Sequence, residues 1–494
     1  MPIPQQTQPM SFQIKASPEL FTVVRGTLTS MFRTVDFSAG RLIEVESCDT
    51  EEGIITTVKL QDHEPWQHLD SEINRSCYNQ RDRENRIKER IRLGVRTVVG
   101  QAYGIPLGPW GILTGVRPTK LVHRLIDRGF SREEVYALLT EVYHVSKQRQ
   151  KLLFDVVDKQ RSFFLPNVNN PVSVYVGIPF CPTRCGYCSF AAYPLHTHGH
   201  LFNDFLSALE LEIRSLGELL RDLGIEVQTV YLGGGTPTTV QGADLSHLLK
   251  LLNEYFVADQ CQEYTVEAGR PETLDSNTLA VMQRHGVQRI SINPQTMNDR
   301  TLRRIGRAHT ADQVRAAFEL AHQYGFKHIN SDLILGLPGE DAEDFAFSLQ
   351  EVLALKPDNI TIHSLALKRA SKFGQTASVR DLEHELGMEM AEMAWETLAA
   401  AGMHPYYLYR QRYILSDLEN IGYAVPGAES VYNIQMMEER QTIIGLGGGA
   451  ITKLVSPDLA VVRHANPKCP ATYARQVCQL IDAKKCQITQ HLSV

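Results

Sequence analysis

Between residues 172 and 365 the chain alternates short β-branched runs with helical patterns, and this alternation restricts the fold more than any other feature. SVYVGI (173–178), TVYLGG (229–234), YTVEA (264–268), RISIN (289–293), HINSDLILG (328–336) and NITIHSL (359–365) each read as a buried strand. The intervening segments, among them 201–224, 243–256, 310–325 and 341–355, carry apolar residues at helical spacing. Six βα units in series require a parallel sheet with right-handed crossovers, and six are too few for an ordinary eight-fold barrel. A partial barrel and an open sheet both satisfy this rhythm. Either one places chemistry at the C-terminal ends of the strands.

The flanks are less regular. Residues 1–50 read as β-rich, and 81–99 read as a basic helix with Ile87, Ile91 and Val95 on one face. Helices are expected at 118–129 and 131–162, the second opened by a capping box of Ser131 and Glu134. LPNVNNP at 165–171 reads as a linker. A Met- and Ala-rich helix is expected over 381–403, followed by mixed strands and helices around GLGGGA at 445–450. The expected organisation is an N-terminal α+β domain over 1–165, a βα domain over 166–380 and a C-terminal α/β extension over 381–494.

Composition narrows the class. The 494 residues are 43% apolar and 21% charged, which excludes a disordered or collagen-like chain. Fifty basic against 56 acidic residues give a net charge of −6, which does not favour nucleic acid as a partner. No run of 18 apolar residues occurs, so no membrane span is expected. The opening MPIPQQTQPM has neither the positive start nor the apolar core of a secretion signal, and a cytoplasmic location is the expectation. Nine cysteines, an odd number, suit ligands plus buried thiols better than a disulfide frame.

Three of those cysteines fall within eight residues, in VGIPFCPTRCGYCSF at 176–190, directly after the first strand. The spacing Cys181-x3-Cys185-x2-Cys188 admits two readings. Three thiolates can hold three irons of a [4Fe–4S] cluster and leave the fourth iron open to a small ligand. Alternatively His196, His198 or His200 could complete a Cys3His zinc site. The motif, with Tyr187 before its last cysteine and a strand before its first, resembles that of the radical S-adenosylmethionine (SAM) superfamily. That resemblance implies a [4Fe–4S] cluster on Cys181, Cys185 and Cys188, with SAM bound at the open iron.

The resemblance then narrows. YVGIPFCPTRCGYC, LGGGTPT, TVEAGRPE, RISINPQTMNDRTLRRIGRAH and NSDLILGLPG, over about residues 172–450, are similar to the oxygen-independent coproporphyrinogen III oxidase (dehydrogenase) family. WGILTGVRPTK at 110–120 and the long N-terminal extension resemble its HemZ-like branch. The family implies an α/β fold built on a partial (β/α)6 barrel. Position by position it implies SAM contacts from Tyr175, Tyr187, Gly234, Gly235, Thr236, Glu267, Gln295, Arg307, Asp332 and Ala366. Bare glycine backbone can approach a ligand closely, and a guanidinium such as that of Arg307 pairs bidentately with a carboxylate.

The activity so implied is oxidative decarboxylation of coproporphyrinogen III to protoporphyrinogen IX by a SAM-derived 5′-deoxyadenosyl radical, in porphyrin and haem biosynthesis. Its partners would be a tetrapyrrole substrate and a reducing donor of the flavodoxin or ferredoxin type. Two departures bear on this. The family's oxidases carry a further cysteine two residues after the third ligand, where this chain has Ser189 and Phe190. The related haem-chaperone branch is marked by HNxxYW, where this chain reads YNIQMM at 432–437. A substrate with four propionates also needs cations, for which Arg117, Lys120, Lys368, Arg369, Arg410 and Arg412 are candidates.

Overall fold

The computed structural model describes residues 10–32, 35–71, 73–77, 80–105, 108–113, 117–167, 170–188, 190–366, 384–411, 415 and 418–492. The chain forms two compact units, Met1–Val157 and Asp158–Val494.

The first unit holds a four-stranded sheet in the order β1 (Met10–Lys15), β2 (Val35–Thr50), β3 (Gly53–Leu60) and β4 (Trp66–Asp70). β1 and β2 run parallel and the other pairs antiparallel. Helix α1 (Pro18–Met31) interrupts the segment that reads as β-rich. Extended Ser17 precedes a proline whose fixed φ suits a first helical turn, and Val24 and Leu28 then fall on the core side. The basic helix forms as α2 (Gln80–Tyr103), with Ile91 and Val95 packed in the core with Phe12, Ile43 and Val58. Two of its arginines are not at the surface: Arg86 and Arg90 are buried on Asp70, at 2.6 and 2.9 Å. α3 (Thr119–Asp127) follows. The expected single helix over 131–162 is two, α4 (Arg132–Glu141) and α5 (Lys147–Arg161). The capping box of Ser131 and Glu134 is present, but the chain turns at His144, where φ is 53°. That turn is fixed from outside, because Ile112 N donates to Tyr143 O and Ser146 N to Pro109 O, both at 2.9 Å.

The second unit is built on one eleven-stranded sheet. Its strands are β5 (Val172–Ile178), β6 (Val227–Gly234), β7 (Glu263–Val266), β8 (Arg289–Ser291), β9 (His328–Leu335), β10 (Asn359–Ser364), β11 (His404–Tyr409), β12 (Asn420–Ala424), β13 (Ile443–Gly447), β14 (Ile451–Val455) and β15 (Val461–Ala465). The order is β11-β12-β10-β9-β8-β7-β6-β5-β13-β14-β15. β5 to β10 lie side by side in chain order, all parallel. Among the described residues the edge strands do not pair with each other, so the six βα units form a partial (β/α)6 barrel. Antiparallel β12 and β11 extend one side, and β13, parallel to β5, extends the other.

One face of the parallel strands is apolar and buried, through Val174, Val176, Val230, Leu232, Ile290 and Ile360. The other face is polar. Tyr175, Tyr231, Thr265 and Arg289 sit in one register layer across β5 to β8, and Asp332 pairs with Thr361 further round. A closed eight-fold barrel fills its interior with branched aliphatics. Here tyrosines and ionisable groups take those positions and leave a cavity.

Candidate functional site

That cavity has a volume of about 380 Å³ and reaches the loops that follow β5, β6 and β7, through Cys181, Gly235 and Gly269. A volume of this size holds one small ligand, and its lining mixes aromatic with a few polar groups, as binding cavities do. Cys181, Cys185 and Cys188 line its rim, with Cys181 and Cys185 about 5% and 6% exposed and none of the three in a disulfide. Burial pushes the thiols of Cys181 and Cys188 up, partly offset by Thr236 and Arg270 at the first and by the Phe190 backbone at the second. Among the described residues no set of His, Cys, Asp or Glu closes around a single ion. Three soft thiols opening on one cavity, without a fourth, fit a cluster that keeps one iron for a small ligand.

The glycine turn after β6 is stitched to the cysteine loop. Gly235 N donates to Ile178 O at 2.7 Å and Thr236 N to Phe180 O at 2.8 Å. A Cβ on Gly235 would lie 2.5 Å from Phe180 O and 2.8 Å from Cys181 Sγ, so only glycine fits. Gly234 has a φ of 112°, and its N donates to Glu267 Oε2 at 3.3 Å. Thr236 is buried and not among the residues lining the cavity, with its hydroxyl 3.6 Å from Cys181 Sγ.

The ends of the next strands carry the charges. Burial pushes the Glu267 carboxyl up to about 7, even though Tyr231 donates to it at 2.6 Å. Asp332 is held below the usual carboxylate range: burial opposes its ionisation, but His363 beside it (3.5 Å), Asn330 (2.9 Å) and Thr361 outweigh that. Gln295, at a φ of 71° that favours glycine, bonds β9 through its backbone, with N to Asp332 O at 3.0 Å and O from Ile334 N at 2.9 Å. A non-glycine residue held in that region marks a backbone constrained by its surroundings. Arg307 is 7% exposed, donates Nη1 to Gly269 O at 3.0 Å, and leaves Nε without a partner among the described residues. Burial raises the Tyr187 phenol beside it.

The structure therefore brings Tyr175, Tyr187, Gly234, Gly235, Glu267, Gln295, Arg307, Asp332 and Ala366 together with the three cysteines on one cavity, and leaves Thr236 behind it. The basic candidates fare differently. Arg410 is buried and off the cavity, Arg117 and Lys120 belong to the other unit, and Lys368, Arg369 and Arg412 lie outside the described residues, as does Ser189. Among the described residues the arginines on the cavity are Arg270, Arg289 and Arg307. Sequence reasoning also missed a tyrosine stack: Tyr231 and Tyr432 lie 4.2 Å apart with Tyr175 about 6 Å from each (6.2 and 6.1 Å). A tyrosine within the glycine-bounded strand YLGG was the available signal for Tyr231. Tyr432 and Asn433 lie on helix α8 (Val431–Glu438), within the YNIQMM segment, and Asn433 reaches the cavity.

Comparison with known proteins agrees with this geometry. Residues 175–352 match the model of the radical SAM superfamily. The chain is 41% identical to the "Oxygen-independent coproporphyrinogen-III oxidase-like protein HemZ" of Bacillus subtilis, over 76% of either chain. It is 30% identical to the "Heme chaperone HemW" of the same bacterium, over 56% of this chain and 70% of that one. The fold resembles that of coproporphyrinogen III oxidase (HemN) from Escherichia coli, a radical SAM enzyme, with a TM-score of 0.52 and 23% identity over 68% of this chain and 81% of that one.

Proposed function

Because the chain belongs to the radical SAM superfamily, and within it to the oxygen-independent coproporphyrinogen III oxidase-like family, we propose that it decarboxylates coproporphyrinogen III oxidatively to protoporphyrinogen IX. Its cofactors are a [4Fe–4S] cluster and SAM. Held by Cys181, Cys185 and Cys188 and the strand-end groups, they would supply a 5′-deoxyadenosyl radical, the species able to remove a hydrogen atom from a propionate β-carbon so that loss of carbon dioxide, and of one electron to an external acceptor, would leave a vinyl group.

The observation that carries this reading is the sharing of one cavity by the three thiols and the strand-end polar groups. On this reading Cys181, Cys185 and Cys188 hold the cluster. The bare backbone at Gly234 and Gly235 and the carboxylate of Glu267 take the amino group of SAM, Asp332 and Gln295 meet its ribose, and Arg307 meets a carboxylate. Tyr187, Tyr175 and Ala366 shape the walls around it, and Thr236 backs Cys181. A primary carbon radical attacks whatever it first meets, so the enclosing residues must keep water out and the propionate in contact. Residues of the 381–494 segment serve that purpose on this reading, which is supported by Tyr406, Tyr407 and Asn433 lining the same cavity.

A second reading has one observation in its favour. Phe190, 69% exposed on the cavity rim, stands where the family's oxidases carry a further cysteine, which suits a haem-trafficking protein without decarboxylase activity. Against it, Tyr432 supplies no ring nitrogen for a haem iron where the chaperone branch has histidine. Anaerobic incubation of the reconstituted protein with SAM, reductant and coproporphyrinogen III separates the two. Vinyl products together with 5′-deoxyadenosine are the expected result; stoichiometric haem retention without either product would establish the second reading instead.

A further inference from the structure

The chemistry of the family requires one electron from outside for each activation of the cluster, and the helix packed against the cysteine loop carries a group of exposed arginines. Helix α7 (Asp299–Ile305) packs against that loop. Gly186 N donates to Ile305 O at 2.9 Å, and Thr183 Oγ1 to Gly306 O at 3.3 Å. Gly306 turns the chain with a φ of 78°, and a Cβ there would lie 3.5 Å from Arg184 O and 3.8 Å from Cys185 Cα. Leu302 and Ile305 face inward and are fully buried. Outward, α7 presents Arg300, Arg303 and Arg304, all exposed, and Arg184 is exposed on the adjoining loop.

We propose that Arg300, Arg303 and Arg304 of α7, with Arg184 of the cysteine loop, form the docking surface for a small acidic electron-carrier protein. On a chain of net charge −6, the four arginines are grouped at one place; the exposed carboxylates nearest them are Asp299 on the same helix and Asp341 and Glu343 beyond Pro338, so the basic face is the one carried by Arg303, Arg304 and Arg184. Asp344 partly neutralises Arg300, at 3.4 Å, but among the described residues no carboxylate pairs with Arg303 or Arg304. Arg304 Nη1 donates to Pro338 O at 2.9 Å, which holds that side chain along the surface. Arginines spread over a helix face without a pocket suit the broad acidic face of a protein better than a small anion. The path inward is short: one hydrogen bond from Ile305 O to Gly186 N, then one peptide to Cys185. One electron leaves the reduced flavin or iron–sulfur centre of the carrier and enters the cluster; the carrier is oxidised by one electron, the cluster is reduced by one, and no bond forms or breaks.

The inference rests on the cluster and not on the tetrapyrrole reading, so its test uses no substrate. The reconstituted full-length protein is mixed by stopped flow with a flavodoxin reduced to its two-electron state, at several ionic strengths, and bleaching of the cluster is followed. For R303E/R304E the second-order rate constant is expected to fall about tenfold at low salt, because surface charges act mainly on encounter rates, and the salt dependence of the unaltered protein should flatten. Iron content and reduction by dithionite should not change, and K250E, on an exposed lysine of another helix, should reduce at the unaltered rate. Equal rates for R303E/R304E and the unaltered protein would overturn the proposal. So would an equal slowing with dithionite, which would mean the arginines only hold the loop in place.

Discussion

Arg270 is bound to the sulfur of Cys185. Its Nη2 lies 2.9 Å from Sγ and 2.9 Å from Thr183 O, and the side chain is buried. A hydrogen bond from a fixed cation to a cluster sulfur stabilises the more negative, reduced state. Arg270→Leu is expected to shift the cluster to more negative potential. Losing about 1.5 kcal/mol of charged hydrogen bond corresponds to roughly 60 mV for a one-electron couple. Potentiometric titration followed by electron paramagnetic resonance reads the shift, and Arg270→Lys should recover part of it.

Gly235 has no room for a methyl group. Its neighbours are a backbone carbonyl and a cysteine sulfur, neither of which can swing aside as the end of a long side chain could. Gly235→Ala is expected to displace Cys181, cost about 1–3 kcal/mol of stability as an overpacked site, and cut iron and sulfide content after reconstitution. Gly199→Ala, with open space around it, should leave both unchanged.

Glu267 gives a pH dependence of definite sign. Burial raises its carboxyl to about 7 in the folded chain, so the native state binds a proton that the unfolded state has already released above its ordinary value near 4.5. Stability therefore falls as pH rises through that window, and the penalty is complete above about 7. At about pH 8 the cluster-free Glu267→Gln variant should resist urea better than the unaltered protein, by up to about 3 kcal/mol, and the gap should vanish near pH 4. An equal gap at both pH values would show that the carboxyl does not titrate in this range.

Lys484 of the helix α9 (Pro470–Leu492) meets Glu212 of α6 (Phe202–Asp222) at 2.6 Å, with both side chains wholly buried. Glu212 also accepts from Gly447 N at 2.8 Å and from Tyr473 OH at 2.6 Å, so it pins the glycine segment whose Gly448 N bonds Gly177 O. Lys484→Met leaves a carboxylate buried without its cation and should cost about 3–5 kcal/mol in urea unfolding. The double variant E212Q/K484M should recover much of that loss.

The parallel strands were legible in the sequence because each is a continuous β-branched run bounded by turns, and the polar residues at their ends stood out against that apolar background. The helix α1 was not, since VVRGTLT mixes β-branched residues with a glycine and only packing of Val24 and Leu28 decides for the helix. Nor was the break at His144, which is fixed by hydrogen bonds to residues about thirty positions earlier. Arg270 and Tyr432 carried no periodic signal; both reach the site through contacts between distant segments. Thr236 was expected to contact SAM; its hydroxyl lies 3.6 Å from Cys181 Sγ, on a turn tied to Phe180.

The most direct measurement uses coproporphyrinogen III carrying deuterium on the β-carbons of its propionates, incubated without oxygen with the reconstituted protein, SAM and reductant. If the radical formed beside Cys181, Cys185 and Cys188 attacks that carbon, mass spectrometry finds deuterium in 5′-deoxyadenosine and a vinyl-bearing product. Unlabelled 5′-deoxyadenosine from the same mixture, with the tetrapyrrole recovered intact, would contradict it.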